Sequence, residues 1–402
     1  MTGASGFVGS NIVRELLVAG HQVRALVRPT SDLRGLAGLA VEPVVGDVLD
    51  PGSLRAAAKG CQLLFHAAAV FSYWGHSDES LFTVSVDGAR NALEAAAQAG
   101  VRRVVLTSSS VTLGSSTRAV DRDETGELAD DEPAPAYFHA KAAQERAAVQ
   151  RARELGIELV VACPTIVVGS HDYRAVPSTA IILDYLRDPW RATFPGGCNV
   201  VHVRDVARGH LLLAEHGRPG ERYLLGSENL EWSLLHRMVG ELAGVGGPRV
   251  TANRTSSLLA AVASEAVARL TGARPLVTRG QARTVGRFYW YSHQRAAAMG
   301  YRPRPAREAL TLAVAWLLQS PHLTRQQRLG LRPAVEVMAA LDEATETGAF
   351  LLKRRKARRD SAARYGESPA SGRPAPASPA GTPAARASGP AGGSRRKGSR
   401  RW

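Results

Sequence analysis

The chain has 402 residues, of which 45% are hydrophobic and 22% charged, so it can bury a sizeable core and disorder of the whole chain is excluded. Its three cysteines, Cys61, Cys163 and Cys198, form no CxxC motif or Cys/His cluster, which argues against a disulfide framework and a zinc site. The sequence shows neither an apolar run of spanning length nor a basic-then-apolar leader. We therefore expect a cytoplasmic protein of two or three domains.

The net charge of +15 is concentrated at the C-terminal end. Residues 353–402 contain 14 Lys or Arg and 2 acidic residues, a net charge of +12, which leaves only +3 for residues 1–352. This tail is rich in Ala, Pro, Gly, Ser and Arg, so we expect it to be disordered. It could attract anionic surfaces nonspecifically, or be only a solvated appendage, and no specific nucleic-acid site is predicted.

Short β-branched runs alternate with amphipathic stretches from residue 1 to about 169, a rhythm typical of parallel strands joined by helices. The predicted fold class is therefore α/β, with a doubly wound parallel Rossmann sheet. The predicted strands cover residues 22–27, 41–45, 63–66, 103–106 and 157–162. The predicted helices cover residues 10–19, 54–59, 86–99 and 137–155.

Beyond residue 169 the rhythm loosens, and we expect a smaller, mostly helical substrate lobe. Predicted strands cover residues 199–203 and 222–225, and predicted helices cover 205–215, 232–243, 257–270, 307–318 and 335–344. The predicted dinucleotide-binding domain comprises residues 1–169 and about 199–227. The substrate lobe comprises about 170–198 and 228–320, followed by a helical extension over 321–352 and the tail over 353–402.

The first motif is a GxxGxxG turn that opens directly into a predicted helix. Glycines allow tight backbone curvature and the close approach of a pyrophosphate, which then lies on free N–H groups at the helix N-terminus. A glycine-rich chain end without a ligand is the alternative interpretation. The predicted contacts to the phosphates are Gly3, Ser5, Gly6, Phe7, Val8 and Gly9.

The strand that should lead into this turn is missing, because Met1 stands where its last residue belongs. Such a strand is central in a doubly wound sheet, and without it two neighbouring strands present unpaired edges. We expect either a start site upstream of Met1, with about five to eight residues encoding an apolar strand, or a truncated and weakly folding protein.

The end of the second strand indicates which nicotinamide cofactor is bound. Enzymes that prefer NAD place an acidic residue about 20 positions after the glycine turn, whereas this chain has Arg28. A guanidinium can pair with a 2′-phosphate, so NADP(H) is favoured over NAD(H), although a surface arginine without a ligand is the alternative. His66 is interpreted as a structural residue. The further predicted cofactor contacts are Asp47, Val48, Ala67, Ala68 and Ala69.

The candidate catalytic residues are Ser109, Tyr137 and Lys141. Positions i and i+4 share a helix face, so Tyr137 and Lys141 project into one site. An ammonium nearby is expected to lower the pKa of the phenol and to hold the nicotinamide ribose, so Tyr137 and Lys141 are also predicted cofactor contacts. Ser109 can bond the substrate oxygen. A lone YxxxK is common by chance, but after a serine-rich strand end and a glycine turn the pattern is strong.

With these motifs the chain resembles an extended short-chain dehydrogenase/reductase of the NAD-dependent epimerase/dehydratase family. It is most similar to the branch that holds dihydroflavonol reductase-like enzymes and the hopanoid-associated sugar epimerase family. The resemblance implies cofactor contacts at Pro164 and Val167, in a PxxxxG segment, and a homodimer. It covers about residues 1–320. Other matching segments are Tyr73-Trp74, residues 86–88, 199–206, 220–223 and 300–303, whereas Ser85 replaces the family's usual asparagine.

The resemblance implies hydride transfer between nicotinamide and a carbinol carbon of a small-molecule substrate. Three uses stay open: a reductase or dehydrogenase, an epimerase or dehydratase that keeps its cofactor bound, and a regulator that binds NADP(H) without turnover. Arg28 favours the reductase, and the family name favours the epimerase. The expected pocket is lined by residues 71–75, 114–117 and 170–195. Arg174, Arg187 and Arg191 lie in the last segment, and the sequence does not show whether they meet at a diphosphate.

Overall fold

Parallel strands and crossover helices make up the first half of the chain in the computed structural model, which describes residues 1–346. The strands are β1 Val23–Val27, β2 Val41–Val45, β3 Leu63–His66, β4 Arg103–Thr107, β5 Glu158–Pro164, β6 Ile166–Val168, β7 Ala192–Thr193, β8 Gly197–His202, β9 Arg222–Leu225, β10 Glu228–Glu231, β11 Val250–Thr251 and β12 Phe288–Tyr289. The predicted disordered tail over 353–402 lies outside the described residues.

Fourteen α-helices are present between residues 1 and 346. They are α1 Phe7–Val18, α2 Pro51–Ala58, α3 Asp78–Gln98, α4 Ala136–Leu155, α5 Pro177–Arg187, α6 Val203–His216, α7 Trp232–Ala243, α8 Arg254–Thr271, α9 Arg279–Ala282, α10 Gln294–Ala298, α11 Ala306–Gln319, α12 Arg325–Leu329, α13 Val335–Ala339 and α14 Leu341–Glu346. The described residues all belong to one compact unit.

The main sheet is parallel and covered on both faces. Its strands run in the order β3-β4-β5-β9, with β1 and β2 as a separate parallel pair. Alternate residues of a strand point to opposite faces. Val105 packs in one core with α1 and α6, whereas Val104 and Leu106 pack in another with α3 and α4. This arrangement confirms the predicted doubly wound α/β fold.

Among the described residues, only Met1 and Thr2 lie between β1 and β3. The N–H of Leu26 donates to the Met1 carbonyl at 2.9 Å, and the N–H of Thr2 donates to Phe65 at 3.0 Å, so these two residues bridge the strands at one end. Beyond them a cavity separates β1 from β3, with Leu26 and Leu63 among its lining residues. Burial lowers the pKa of the α-amino group of Met1 to about 6, and this group donates to the Arg24 carbonyl at 2.7 Å. The β1-β2 pair is therefore separate from the sheet that begins with β3.

A second sheet joins strands of the predicted substrate lobe to strands of the predicted dinucleotide-binding domain. Its strands run in the order β10-β8-β12, and β6 pairs in parallel with β8. The predicted domain boundary at residue 169 therefore lies directly after β6. The predicted boundary at residue 199 lies within β8, which pairs with β6. The division into two domains stays a prediction. Helices α5, α7 and α11 pack over the sheet in a core that contains Leu183, Leu235 and Val314.

The end of the described chain packs against α11. The single predicted helix over 335–344 is replaced by two short helices, α13 and α14, which are separated by Ala340. Val337 and Ala344 are buried in the same core as Trp316, so the extension adds to this core. Among the described residues, no helix is both long and apolar enough to cross a bilayer.

Several histidines are buried in a form that resists protonation. Burial lowers the pKa of His66 and of His171 to about 3 and that of His210 and of His236 to about 4, and it holds the pKa of His202 well below its usual range. Between about pH 6.5 and these values the unfolded chain binds protons that the folded chain does not. The histidine contribution to stability is therefore complete above pH 6.5 and is lost as the pH falls.

We expect the free energy of unfolding to fall by several kcal/mol between pH 7 and pH 4.5, as measured by urea denaturation at each pH. His66→Asn retains a polar partner for Thr2, whose hydroxyl lies 2.9 Å from His66 Nδ1, and should make this pH dependence shallower. His216→Gln, at an exposed position, is the matched control and should leave the dependence unchanged. A His66→Asn profile parallel to that of the wild type would contradict the assignment.

Candidate active site and cofactor site

The glycine turn is held by contacts that exclude any side chain. Gly3 has a φ of +66°, and a Cβ there would lie 2.5 Å from the Ala67 carbonyl carbon. A Cβ at Gly9 would overlap the carbonyl oxygen of Gly3 and lie 2.8 Å from its carbonyl carbon. The N–H of Gly6 donates to the same Gly3 oxygen at 3.0 Å. The turn therefore needs glycine at Gly3 and at Gly9, as the motif predicts.

Helix α1 begins directly after this turn, at Phe7 rather than at the predicted Ser10. Gly6 is its extended N-cap, and no side chain within residues 1–346 caps this N-terminus. The N–H groups at Phe7 and Val8 therefore lie in the uncapped first turn, where a helix favours anions. Ser5 is half-buried just before it. The Asn11 amide donates to Phe7 at 3.0 Å and to Ser170 at 3.1 Å, which ties α1 to the loop after β6.

Arg28 and Asp47 lie at the ends of two neighbouring strands. Arg28 follows β1 directly, is exposed, and exchanges hydrogen bonds with Ser31, whose hydroxyl accepts from the Arg28 N–H at 2.9 Å. Asp47 follows β2, and its Oδ1 accepts from the Leu49 N–H at 3.0 Å. Val48 is buried against α3, where its carbonyl accepts from the Asn91 amide at 3.0 Å. Both strands therefore end on the side of the sheet where α1 begins.

The three predicted alanines come directly after β3. Ala67 donates its N–H to Thr2 at 3.3 Å, and its backbone touches Gly3, so this strand end and the glycine turn are in contact. Ala67 and Ala68 are half-buried and Ala69 is exposed. The adjacent His66 is 1% exposed, and its low pKa keeps it neutral. This supports the interpretation of His66 as structural.

The structure brings Ser109 and Tyr137 together. Ser109 follows β4 and caps a short 3-10 helix, Ser110–Leu113, and Tyr137 stands in the first turn of α4. The Ser109 side chain lies close enough to the Tyr137 hydroxyl to act on the pKa of this phenol, which it lowers. Burial raises the pKa of Tyr137 above its usual range, and the Ser109 contact offsets this only in part. The phenol is therefore neutral over the physiological pH range.

Lys141 does not act on the pKa of Tyr137 as expected. Its ammonium donates to the Thr107 carbonyl at 2.8 Å and to Gln144 Oε1 at 2.5 Å. Burial lowers the pKa of Lys141 to about 8, against the opposing effect of Glu145. The expected lowering of the Tyr137 pKa is therefore absent from this arrangement, because the ammonium is bonded to other acceptors and the phenol is desolvated.

Glu145 is a site-supporting residue that the motif analysis missed. It lies one turn after Lys141 on α4 and is 7% exposed. Its carboxylate accepts from the Ser108 hydroxyl at 2.5 Å and from the Thr112 hydroxyl at 3.0 Å, and it pairs with Arg222 at 3.2 Å. The spacing YxxxKxxxE is visible in the sequence and places the carboxylate on the same helix face. Glu145 therefore fixes the segment that carries Ser109 to α4.

Aromatic rings surround Tyr137. Its ring centroid lies 4.8 Å from that of Phe71 and 6.1 Å from that of Tyr73. Phe138 contacts Tyr73 at 6.4 Å and Tyr289 at 5.8 Å. We call Phe71, Tyr73, Tyr137, Phe138 and Tyr289 the aromatic wall. Phe71 and Tyr73 lie in a segment predicted to line the pocket, whereas no local signal marked Tyr289, which is 152 positions from Tyr137 in the sequence.

Pro164 and Val167 flank the crossing from the main sheet to the second sheet. Pro164 ends β5 and pairs with Leu225 of β9, and Val167 of β6 pairs with Val201 of β8. The hydroxyl of Thr165 between them is buried and has no hydrogen-bond partner within residues 1–346. This unsatisfied donor leaves a polar contact available to a ligand at the position where the resemblance implies the cofactor.

Three arginines of the predicted pocket segment do not converge. The Arg187 guanidinium donates to the His322 carbonyl at 2.5 Å, and that of Arg191 lies over the Tyr185 ring at 5.9 Å. Arg174 is exposed and acts electrostatically on Asp32. These guanidinium groups therefore form no shared diphosphate clamp. Within residues 1–346, no group of three His, Cys, Asp or Glu residues is placed to hold a metal ion.

A doubly wound parallel sheet whose glycine turn opens a helix defines an NAD(P)-dependent enzyme of the extended short-chain dehydrogenase/reductase type. The chain belongs to the NAD dependent epimerase/dehydratase family, whose model matches residues 1–226. This confirms the resemblance inferred from the motifs.

Comparisons with individual proteins agree with this membership. A protein of Synechocystis sp. named after dihydroflavonol 4-reductase is 34% identical over 331 residues, which cover 81% of this chain and 96% of that protein. Sterol demethylase protein B of Methylococcus capsulatus is 37% identical over 250 residues, which cover 62% and 76% of the two chains. The crystal structure of gox2253 superposes with a TM-score of 0.71 at 38% identity and covers 80% of this chain and 98% of that one.

Proposed function

We propose that this protein is an NADP(H)-dependent reductase, or dehydrogenase in the reverse direction, that acts on a carbonyl or hydroxyl carbon of a lipophilic small molecule. The observation that carries the proposal is the position of the Tyr137 phenol, which is buried within the aromatic wall and lies close enough to Ser109 for that side chain to lower its pKa. A protonated hydroxyl among apolar rings can donate its proton to a substrate oxygen.

The residues present fit a dinucleotide. The uncapped N-terminus of α1 can bind the pyrophosphate, Arg28 is an exposed cation for a 2′-phosphate, and Asp47 can accept from the adenine amino group. Small residues at 67–69 leave the backbone open to the cofactor. The bound nicotinamide would supply or accept the hydride. We propose that Pro164 and Val167 flank the nicotinamide.

The proton chemistry belongs to the chain itself. Because the Tyr137 phenol is neutral, it can donate its proton to the carbonyl oxygen as the carbinol forms, while the Ser109 hydroxyl holds that oxygen. Lys141 carries its proton below its pKa of about 8, and we propose that it holds the nicotinamide ribose. Its present acceptors, Thr107 and Gln144, fix the ammonium beside α4.

The aromatic wall supports a lipophilic substrate. The four other rings of the aromatic wall around Tyr137 favour an apolar or ring-bearing molecule over a charged one. The relative from Methylococcus capsulatus is named for a sterol, which is a molecule of this class. The absence of a shared clamp among Arg174, Arg187 and Arg191 argues against a nucleotide diphosphate sugar held by these groups.

The dinucleotide that co-purifies with the protein separates the main alternatives. A reductase releases its oxidised cofactor after each turnover and exchanges it freely, whereas an epimerase returns the hydride to its substrate and retains NAD. We expect the purified protein to lose its nucleotide on gel filtration and to bind added NADPH reversibly. Stoichiometric NAD that survives gel filtration would contradict the reductase.

Arg28→Asp is expected to weaken NADPH binding by about 10- to 100-fold, because an anion replaces the cation that faces the 2′-phosphate. NADH affinity should change by no more than about threefold, so the preference is lost. Isothermal titration with both cofactors measures this. Arg325→Asp, an equal charge change at an exposed position of α12, is the control and should leave both affinities unchanged. A variant that still prefers NADPH would contradict the role of Arg28.

The second candidate function is a sugar epimerase or dehydratase with bound NAD(P), which could be hopanoid-associated, and the name of the matching family favours it. A regulator that binds NADP(H) without turnover is the third candidate function.

We also propose that the protein forms a homodimer, which the resemblance supports and which light scattering can test. A cytoplasmic location is proposed because all three cysteines are free thiols.

A further inference from the structure

Helix α8 presents an apolar face to solvent. Seven exposed residues of this helix are Leu259, Ala260, Val262, Ala263, Ala266, Val267 and Leu270. At 100° per residue they share an arc of about 160°, which in the first turn of the helix also contains the exposed Thr255 and Ser256. Leu259 is 69% exposed and Leu270 is 87% exposed. A face of this width on a surface helix is normally turned toward a core.

The orientation of α8 is fixed by contacts on its opposite face. Ala261, Glu265 and Ala268 are buried there. The Glu265 carboxylate accepts from the Arg279 backbone N–H at 2.7 Å and pairs with the Arg279 side chain at 2.8 Å. The helix therefore turns its one acidic residue inward and turns Leu259 and Leu270 outward. A rotation that buried the leucines would break this ion pair.

The apolar face continues beyond the helix. Leu276, after the C-terminus of α8, is 82% exposed. Before its N-terminus, β11 pairs with β7, which places exposed Val250 beside Ala192 and close to Trp190, which is 72% exposed. We call the exposed face of α8, with Trp190, Val250 and Leu276, the docking surface. Indole rings are enriched where apolar and aqueous phases meet.

Positive charge surrounds the docking surface. Residues 249–283 contain six arginines and one acidic residue, Glu265, so their net charge is +5. All six arginines are exposed: Arg249, Arg254, Arg269, Arg274, Arg279 and Arg283. An apolar helix face bordered by cations is the pattern of helices that lie in the interface of anionic membranes.

We propose that the docking surface binds an anionic phospholipid bilayer, with the apolar face of α8 inserted among the headgroups and the arginines on the lipid phosphates. A second copy of the chain is a poorer partner, because a symmetric contact would bring two clusters of net charge +5 together. This proposal concerns a binding surface and does not depend on the reaction.

The docking surface adjoins the active site. The Arg269 guanidinium lies over the Trp74 ring at 5.6 Å, and Arg274 acts electrostatically on Tyr73 of the aromatic wall. Gly280, in α9, approaches Pro135, the N-cap of the helix that carries Tyr137. A bilayer bound at α8 would therefore lie next to the pocket in which we place a lipophilic substrate.

Vesicle sedimentation with the full chain tests the proposal. The vesicles contain phosphatidylcholine with about one quarter phosphatidylglycerol, and binding is measured at about 0.1 M and about 0.5 M salt. The double variant Leu259→Asp/Leu270→Asp is expected to lower the partition coefficient about tenfold or more at both salt concentrations. The basic tail is common to all variants, and its electrostatic contribution fades at the higher salt concentration.

Leu329→Asp is the matched control, since Leu329 is 67% exposed and also follows arginines, but it stands outside the docking surface. It should retain wild-type binding within about twofold. Circular dichroism should show unchanged folding in all variants, because the substituted side chains are exposed. As a second measurement, quenching of tryptophan fluorescence by brominated lipids should fall in Trp190→Phe.

Three results would overturn the proposal. The first is a wild-type chain that does not bind the vesicles, and the second is a double variant that binds as well as the wild type. The third is a wild-type dimer that the double variant converts to a monomer in lipid-free solution without loss of vesicle binding. That result would assign the surface to a second copy of the chain.

Discussion

Tyr137→Phe is expected to lower the rate of hydride transfer by about 10²- to 10⁴-fold, which corresponds to roughly 3 to 5 kcal/mol of transition-state stabilisation. The substitution keeps the ring, its 4.8 Å contact with Phe71 and the first turn of α4. It removes the hydroxyl that we propose as the proton donor and that lies close to Ser109. Stopped-flow measurement of nicotinamide absorbance with a turned-over carbonyl substrate gives the rate.

The aromatic wall provides a matched control for this variant. Tyr73→Phe also removes a buried hydroxyl whose pKa burial raises, from a ring 6.1 Å from that of Tyr137. We expect it to retain the rate within a few-fold, and both variants should bind NADPH like the wild type. Equal losses in the two variants would indicate that the hydroxyls shape the pocket. Wild-type hydride transfer in Tyr137→Phe would exclude Tyr137 as the acid.

The pH dependence of the reductive step follows from the same burial. Because the pKa of Tyr137 is raised, its phenol keeps the proton that it must donate throughout the neutral range. An ammonium-lowered pKa, as expected from the YxxxK spacing, would instead make the phenol a stronger acid that titrates closer to neutrality. The spacing of Tyr137 and Lys141 is a property of the helix, whereas the acceptors of Lys141 depend on where Thr107 and Gln144 lie after folding.

Local signals predicted most of the nucleotide-binding half. The strands β2, β3 and β9 have the predicted bounds, because each is a short β-branched or apolar run bounded by turn residues. Helix α3 begins at Asp78, eight residues before the predicted start. The signal was present in the sequence, since the Ser77 hydroxyl caps the helix and Asp78 and Glu79 occupy its first turn.

Long-range contacts explain what the sequence did not predict. Strand β12 has two residues, Phe288 and Tyr289, and it becomes a strand by pairing with β8 and, at Phe288, with Ser116. Tyr289 reaches the aromatic wall through that pairing. The sequence predicted α8 as a helix but did not predict that its apolar face points outward, because the periodicity of a helix does not tell which face is buried. The Glu265 ion pair with Arg279 determines that orientation.

Gly9→Ala is expected to lower the free energy of unfolding by about 2 to 4 kcal/mol, because the new Cβ meets backbone that cannot rotate away. This loss is at or above the upper end of the usual cost of adding a methyl group to a packed site. It would overlap the Gly3 oxygen and lie 2.8 Å from the Gly3 carbonyl carbon and 3.2 Å from the Ala4 Cα. Relief requires α1 to move away from the turn. Thermal unfolding and fluorescence titration with NADPH measure the two consequences.

The same movement displaces the uncapped N–H groups of α1 from the position that we assign to the pyrophosphate, so NADPH affinity should fall at least about tenfold. Gly247→Ala is the matched control, since its nearest neighbour, the Arg237 Cγ, would lie 3.6 Å from the new Cβ, an ordinary contact. It should leave the melting temperature and the affinity unchanged. If Gly9→Ala loses stability but binds NADPH normally, the turn serves the fold and the phosphates lie elsewhere. If it loses neither, the close approach of α1 to Gly3 is not a constraint on this chain.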